Sequence, residues 1–75
     1  VISWIQIYLL IEEDAFGEKS TISVHRTFDG ALAAACWRWS DLADVIGGDR
    51  VEPGDHGWSL DDGTGVLIER HRLED

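Results

Sequence analysis

Cysteine, proline and lysine each occur once in this chain, as Cys36, Pro53 and Lys19, and methionine does not occur at all. A lone cysteine excludes an internal disulfide and fits a reducing compartment. That matters because a chain of 75 residues is small. A domain of this size buries only about 60% of its unfolded surface, so a disulfide, a metal or a partner often supplements its core. Residues 1–75 leave room for a single domain. Basic residues are also scarce: 6 against 15 acidic ones, a net charge of −9. Such a field repels nucleic acids and anionic membranes and speeds encounter with basic surfaces. It argues against direct nucleic-acid binding and against a membrane-surface role. A long apolar run is missing too. Val1–Ile11 is interrupted by Ser3 and Gln6 and falls short of the roughly 20 residues needed to span a bilayer. It lacks the basic start of a signal peptide. A cytoplasmic location is therefore the expectation. Acidity also promotes solubility and accompanies acidic proteomes, so charge by itself names no function.

What is present is enough to fold. Hydrophobic residues make up 44% of the chain and include four tryptophans, which separates it from charged disordered segments. Val1–Glu13 reads as a strand. Its odd positions Ile5, Ile7, Leu9 and Ile11 form one face, and Ile2, Trp4, Tyr8 and Leu10 the other. After the turn Asp14-Ala15-Phe16-Gly17, a second strand is expected over Lys19–Phe28. Ile22 and Val24 point one way there, and Thr21, Ser23, His25 and Thr27 the other. Leu32, Ala35, Cys36, Trp39, Leu42, Ala43 and Ile46 recur with helical spacing. They predict one helix over Asp29–Ile46, capped by Thr27 or Asp29 and stopped by Gly47-Gly48. A polar loop over 47–57 leads to a second hairpin, with a short strand at Trp58, a turn at Asp61–Gly65 and a strand over Val66–Leu73. The order β-β-α-β-β predicts an α+β fold with one helix on one face of a small antiparallel sheet.

Catalytic patterns are sparse. His25, His56 and His71 have no partner at metal-ligand spacing. Asp55-His56 could join His71 or Asp61 at a metal, but loop polarity is the simpler account. Asp61-Asp62-Gly63-Thr64-Gly65 lacks the spaced carboxylates of a calcium loop and reads as a hairpin turn. Cys36 falls in the apolar stripe, where a thiol packs as a small hydrophobe. No glycine-rich phosphate loop or nucleophile elbow occurs. The expectation is a non-enzyme with no cofactor and no metal. A small hydrolase using one of the histidines is the third-ranked class.

Two surfaces exceed what folding requires. Trp37 lies off the helical stripe, beside Ala33, Ala34, Asp41 and Asp44. Exposed there, it would anchor a partner, with Asp41, Asp44, Asp49, Glu52 and Asp55 as the flanking carboxylates. If the odd positions of the first strand meet the helix, the opposite sheet face carries Trp4, Tyr8, Thr21, Ser23 and His25, and packing of two such faces would give a homodimer. Most of the remaining acids gather near the first turn (Glu12, Glu13, Asp14, Glu18) and near the second turn and C-terminus (Asp61, Asp62, Glu74, Asp75). Spaced carboxylates can imitate a phosphate track inside a basic channel.

The segment Ile7-Tyr8-Leu9-Leu10-Ile11-Glu12-Glu13, through Val24 and the Thr27 helix start to Val66-Leu67-Ile68-Glu69-Arg70, is similar to short bacterial and phage proteins built as hairpin, helix and strand. In format the chain also resembles phage-encoded inhibitors of bacterial defence, of the anti-CRISPR and anti-restriction kind, which are small, acidic and single-domain. That resemblance implies a viral protein acting in the host cytoplasm as a nucleic-acid mimic. The leading expectation is thus an acidic inhibitor or adaptor that docks on a basic, nucleic-acid-handling protein. The second is a homodimeric accessory protein without catalytic activity.

Overall fold

Apolar side chains on both faces of a strand place it inside a sheet, flanked on both edges, and the first strand occupies that position. The computed structural model describes residues 4–74, and side chains of 4–73; Val1–Ser3 and Asp75 lie outside the described residues. The strands are β1 (Trp4–Glu13), β2 (Lys19–His25), β3 (His56–Ser59) and β4 (Gly65–Glu74), all paired antiparallel in the order β2-β1-β4-β3. Between β2 and β3 come α1 (Phe28–Arg38) and α2 (Leu42–Ile46). The fold is α+β, and the element order is β-β-α-α-β-β.

Local chemistry explains each reversal. In the first hairpin the Asp14 carboxylate accepts from the N–H groups of Phe16 and Glu18, both at 2.9 Å, while Gly17 takes a positive φ of 85° that other residues avoid. In the second, the Leu60 N–H donates to the Thr64 carbonyl at 2.8 Å, and the Asp62 carboxylate accepts from the Thr64 N–H at 2.9 Å. Thr27 caps α1: its hydroxyl accepts from the Gly30 N–H at 3.0 Å. Gly47 ends α2 in the left-handed conformation, with its N–H on the Ala43 carbonyl at 3.1 Å.

The single helix expected over Asp29–Ile46 is two helices. Trp39 leaves the helical region at φ −119°, ψ 97°. The segment Trp39-Ser40-Asp41 joins aromatic and short polar residues, which lose side-chain freedom in a helix or compete for its backbone groups. The break still lets Trp39 and Leu42 pack on the core, whereas Ala43, expected in the stripe, is exposed.

The larger correction concerns the sheet faces. The even positions of β1 meet the helix, not the odd ones. Tyr8 is only 6% exposed and packs with Leu10, Phe28, Ala31, Ala35, Leu42, Val66 and Ile68 in the core. Tyr8 and Phe28 meet edge to face at 5.8 Å between ring centroids, and the contact continues through His56 to Trp58. The expected open face of Trp4, Tyr8, Thr21, Ser23 and His25 therefore does not exist as a unit. Tyr8 pairs with His25 and Leu10 with Ser23, on the helix side. Trp4 shares their side by alternation but lies exposed at the sheet end, and Thr21 pairs with Ile11 on the other face. Period two cannot tell which side of a doubly apolar strand the helix will cover. A register shift in the β1–β2 pairing at Leu10/Ile11 also separates Ile22 and Val24, expected on one side. Ile22 packs on the core and Val24 is 57% exposed.

The result is a slab of extents 46 × 28 × 16 Å. Its radius of gyration, 12.9 Å, exceeds the about 11 Å of a compact chain of this length. Helices cover one side of the sheet. On the other side lie Ile5, Ile7, Leu9 and Ile11 of β1, Leu67 and Leu73 of β4 and Val24 of β2.

Candidate functional site

Both hairpin turns fall at the same end of the sheet, because β1 and β4 run their full described lengths in register, Glu13 opposite Gly65. A Cβ added to Gly63 would lie 3.5 Å from the Ala15 Cβ, so the two turns adjoin. The C-terminal end of α1 reaches that end as well: the Arg38 guanidinium stands 3.9 Å from the Glu12 carboxylate. This geometry concentrates charge. Glu12, Glu13, Asp14, Glu18, Asp41, Asp44, Asp61 and Asp62 gather at one pole, accompanied by Lys19 and Arg38 among the bases.

Within the pole, Asp41, Asp44 and Asp61 with Val45 line one groove, and Arg38, Trp39, Ser40, Asp41, Leu60, Asp61 and Asp62 line an adjoining one. Asp61 and Asp62 thus belong to the same surface as Asp41 and Asp44, a proximity sequence spacing could not reveal. The carbonyl end of α1 adds partial negative charge, which Arg38, held 5.3 Å over the Trp39 ring, offsets in part. The Thr64 backbone N–H, and then its hydroxyl, hold the Asp62 carboxyl below its ordinary value of 3.8, so Asp62 remains charged in mild acid.

Two aromatic side chains project from this pole. Trp37, in the last turn of α1, is 90% exposed, as its off-stripe position predicts. Phe16, at the tip of the first hairpin, is 96% exposed. Sequence reasoning treated Phe16 only as part of a turn. The available signal was a large apolar residue at a turn position where nothing could cover it.

Other expected site residues lie elsewhere. The Asp55 carboxylate accepts from the Arg70 backbone N–H at 2.6 Å, closing the edge of β4 beyond the short β3. Glu52 pairs with Arg50 at 3.2 Å, and its carbonyl accepts from His56 Nε2. Asp49 is exposed in the same loop. None of these three lines the grooves of the acidic pole. The histidines are also dispersed. His25 bonds Ser23 at 2.7 Å, His56 stacks on Trp58, and His71 donates to Glu69 at 3.2 Å. Asp55, His56 and His71 do line one shallow groove between β3 and β4, but the bonds just described occupy them. Among the described residues no three His, Cys, Asp or Glu side chains converge as a metal site. No described helix is long and apolar enough to cross a membrane. Cys36 is half-buried against the core. Compared with protein-family models, with curated proteins and with solved structures, the chain matches none of them.

Proposed function

We propose that this chain is a non-catalytic docking domain, an inhibitor or adaptor that presents its acidic pole to a basic surface of a nucleic-acid-handling protein. The observation that carries the proposal is Trp37, 90% exposed on a helix that has an apolar core to pack against. A tryptophan left in water forgoes a large burial gain, and side chains of this type dominate interface energetics once a partner encloses them. The grooves beyond its end of α1 are lined by Asp41, Asp44, Asp61 and Asp62, so the fitting partner is basic. Long-range attraction then guides the encounter and the aromatic contact slows release. Phe16, exposed at the tip of the first hairpin, adds a second aromatic at the same end of the sheet. In this reading the carboxylates of Asp41, Asp44, Asp61 and Asp62 stand where a bound nucleic acid would place phosphates.

The test is a pull-down from source-cell lysate with tagged wild-type protein, Trp37→Ala and the double variant Asp41→Lys/Asp44→Lys. The expected result is a nucleic-acid-binding protein held by the wild type, released by salt, displaced by competing duplex and lost with both variants. Recovery of no basic partner, or retention by both variants, would overturn the reading.

A further inference from the structure

Among the described residues no element covers the sheet face opposite the helices, and its composition differs from the rest of the surface. Down its centre run Ile5, Ile7, Leu9 and Ile11, of which Ile11 is only 7% exposed, with Leu67 and Leu73 beside them on β4 and Val24 on β2. On β3 the face is floored by Gly57. A Cβ there would come within 2.9 Å of Leu67 Cδ2, so the leucine lies flat across the glycine and keeps this part of the face smooth. Charged groups on the face are few: Lys19 and Glu13 stand 4.0 Å apart at its turn end, and the Glu69 carboxylate on β4 accepts from His71 at 3.2 Å. Most of the acid surplus is carried by the turns, helices and loops, leaving a largely apolar face on which Glu69 is the one carboxylate without a basic partner among the described residues.

We propose that this face is the interface with a second copy of the same chain. Three features select a copy over a basic partner. Charge is the first: a basic surface would find little counter-charge on this face, whereas two such faces can meet without bringing the acidic poles together. The second is area. Ten-residue strands rising about 3.3 Å per residue, in a sheet with strands about 4.8 Å apart, offer roughly 500 Å² in projection on each copy. Two copies together then reach the about 1,000 Å² that separates specific interfaces from incidental contacts. The third is arrangement. A twofold axis crossing the strands near the centre of the face sets Ile7 and Leu9 of one copy against those of the other, and places the acidic poles at opposite ends. Sheets stacked in this way pack about 10 Å apart with interleaved side chains. The dimer leaves Trp37 outside, so it presents two docking surfaces.

Light scattering after size exclusion decides the matter, at a protein concentration of about 100 µM and in low and high salt. The expected mass is about 17 kDa, twice that of the 8.4 kDa chain. Salt should leave it unchanged, in contrast to the salt-sensitive docking proposed for the acidic pole. Leu9→Lys should convert the dimer to a folded monomer, with circular dichroism showing retained secondary structure. Val24→Lys, at a position already 57% exposed, should weaken dimerisation at least tenfold and decides the question if Leu9→Lys does not fold. Trp37→Ala should leave the mass at the dimer value. A wild-type monomer at that concentration, meaning that a different molecule covers the face, would overturn the proposal. So would a dimer that survives Val24→Lys unweakened.

Discussion

Trp37 and Leu10 are both large apolar residues, yet they occupy opposite extremes of exposure: Trp37 is 90% exposed and Leu10 is 1% exposed. Trp37→Ala should shift stability by no more than about 0.5 kcal/mol, as is usual for a surface position. Leu10→Ala leaves a cavity beneath the helix and should cost about 2–5 kcal/mol. Thermal melts of the two variants check this contrast; a Trp37→Ala loss approaching that of Leu10→Ala would show the indole to be part of the core. Asp62 carries a pH signature. Its carboxyl titrates below its ordinary value because the charged form accepts the Thr64 hydrogen bonds. The resulting contribution is complete above the ordinary value of 3.8 and fades as pH falls through the lower folded value. The melting temperatures of the wild type and Asp62→Ala should therefore differ at neutral pH and converge in acid below that range. A constant gap would remove the charge from the explanation.

Among the elements, α1 depends on its cap. The Thr27 hydroxyl satisfies the Gly30 N–H, one of the donors that the first turn of a helix leaves unpaired. Thr27→Ala should destabilise the protein by about 1 kcal/mol, and in a domain this small that lowers the melting temperature by about 4–8 °C. Thr27→Ser should restore most of the loss, and failure to do so would point to the methyl group instead of the hydrogen bond. The cap has a wider consequence, because α1 carries Phe28, Ala31 and Ala35 into the core at one end and Trp37 into solvent at the other. Its alanines let the helix lie close to the sheet. Near the helix start Tyr8 and Phe28 meet edge to face.

For the whole molecule, uneven charge dominates. Much of the net −9 resides at one pole, where like charges repel in the folded state more than in an extended chain. Salt screens this repulsion, with a Debye length falling from about 30 Å at 0.01 M to about 3 Å at 1 M. The melting temperature should rise as sodium chloride is raised across that range. A flat or falling profile would mean that the carboxylates are held too far apart, or too well paired, to oppose folding. The same screening should weaken docking to a basic partner, so a single salt series would move stability and docking in opposite directions.

Local elements were legible in the sequence because their causes are local. The Asp14–Gly17 and Asp61–Gly65 turns, the Thr27 cap and the glycine stop after Ile46 each depend on one or two residues meeting their own backbone. The off-stripe position of Trp37 was legible for the same reason: helical angle alone places it away from the core. Tertiary packing decided what local rules leave degenerate. β1 is apolar on both faces, so alternation was equally satisfied with Tyr8 inside or outside, and the residues reaching it from Phe28, Val66 and Ile68 chose the side. The helix break at Trp39 came from the gain of packing Trp39 and Leu42 on the sheet, against a weak local preference to continue. The gathering of Asp41, Asp44 and Asp61 into one pole depended on antiparallel register bringing distant turns together, a relation between residues far apart in the chain that no local pattern encodes.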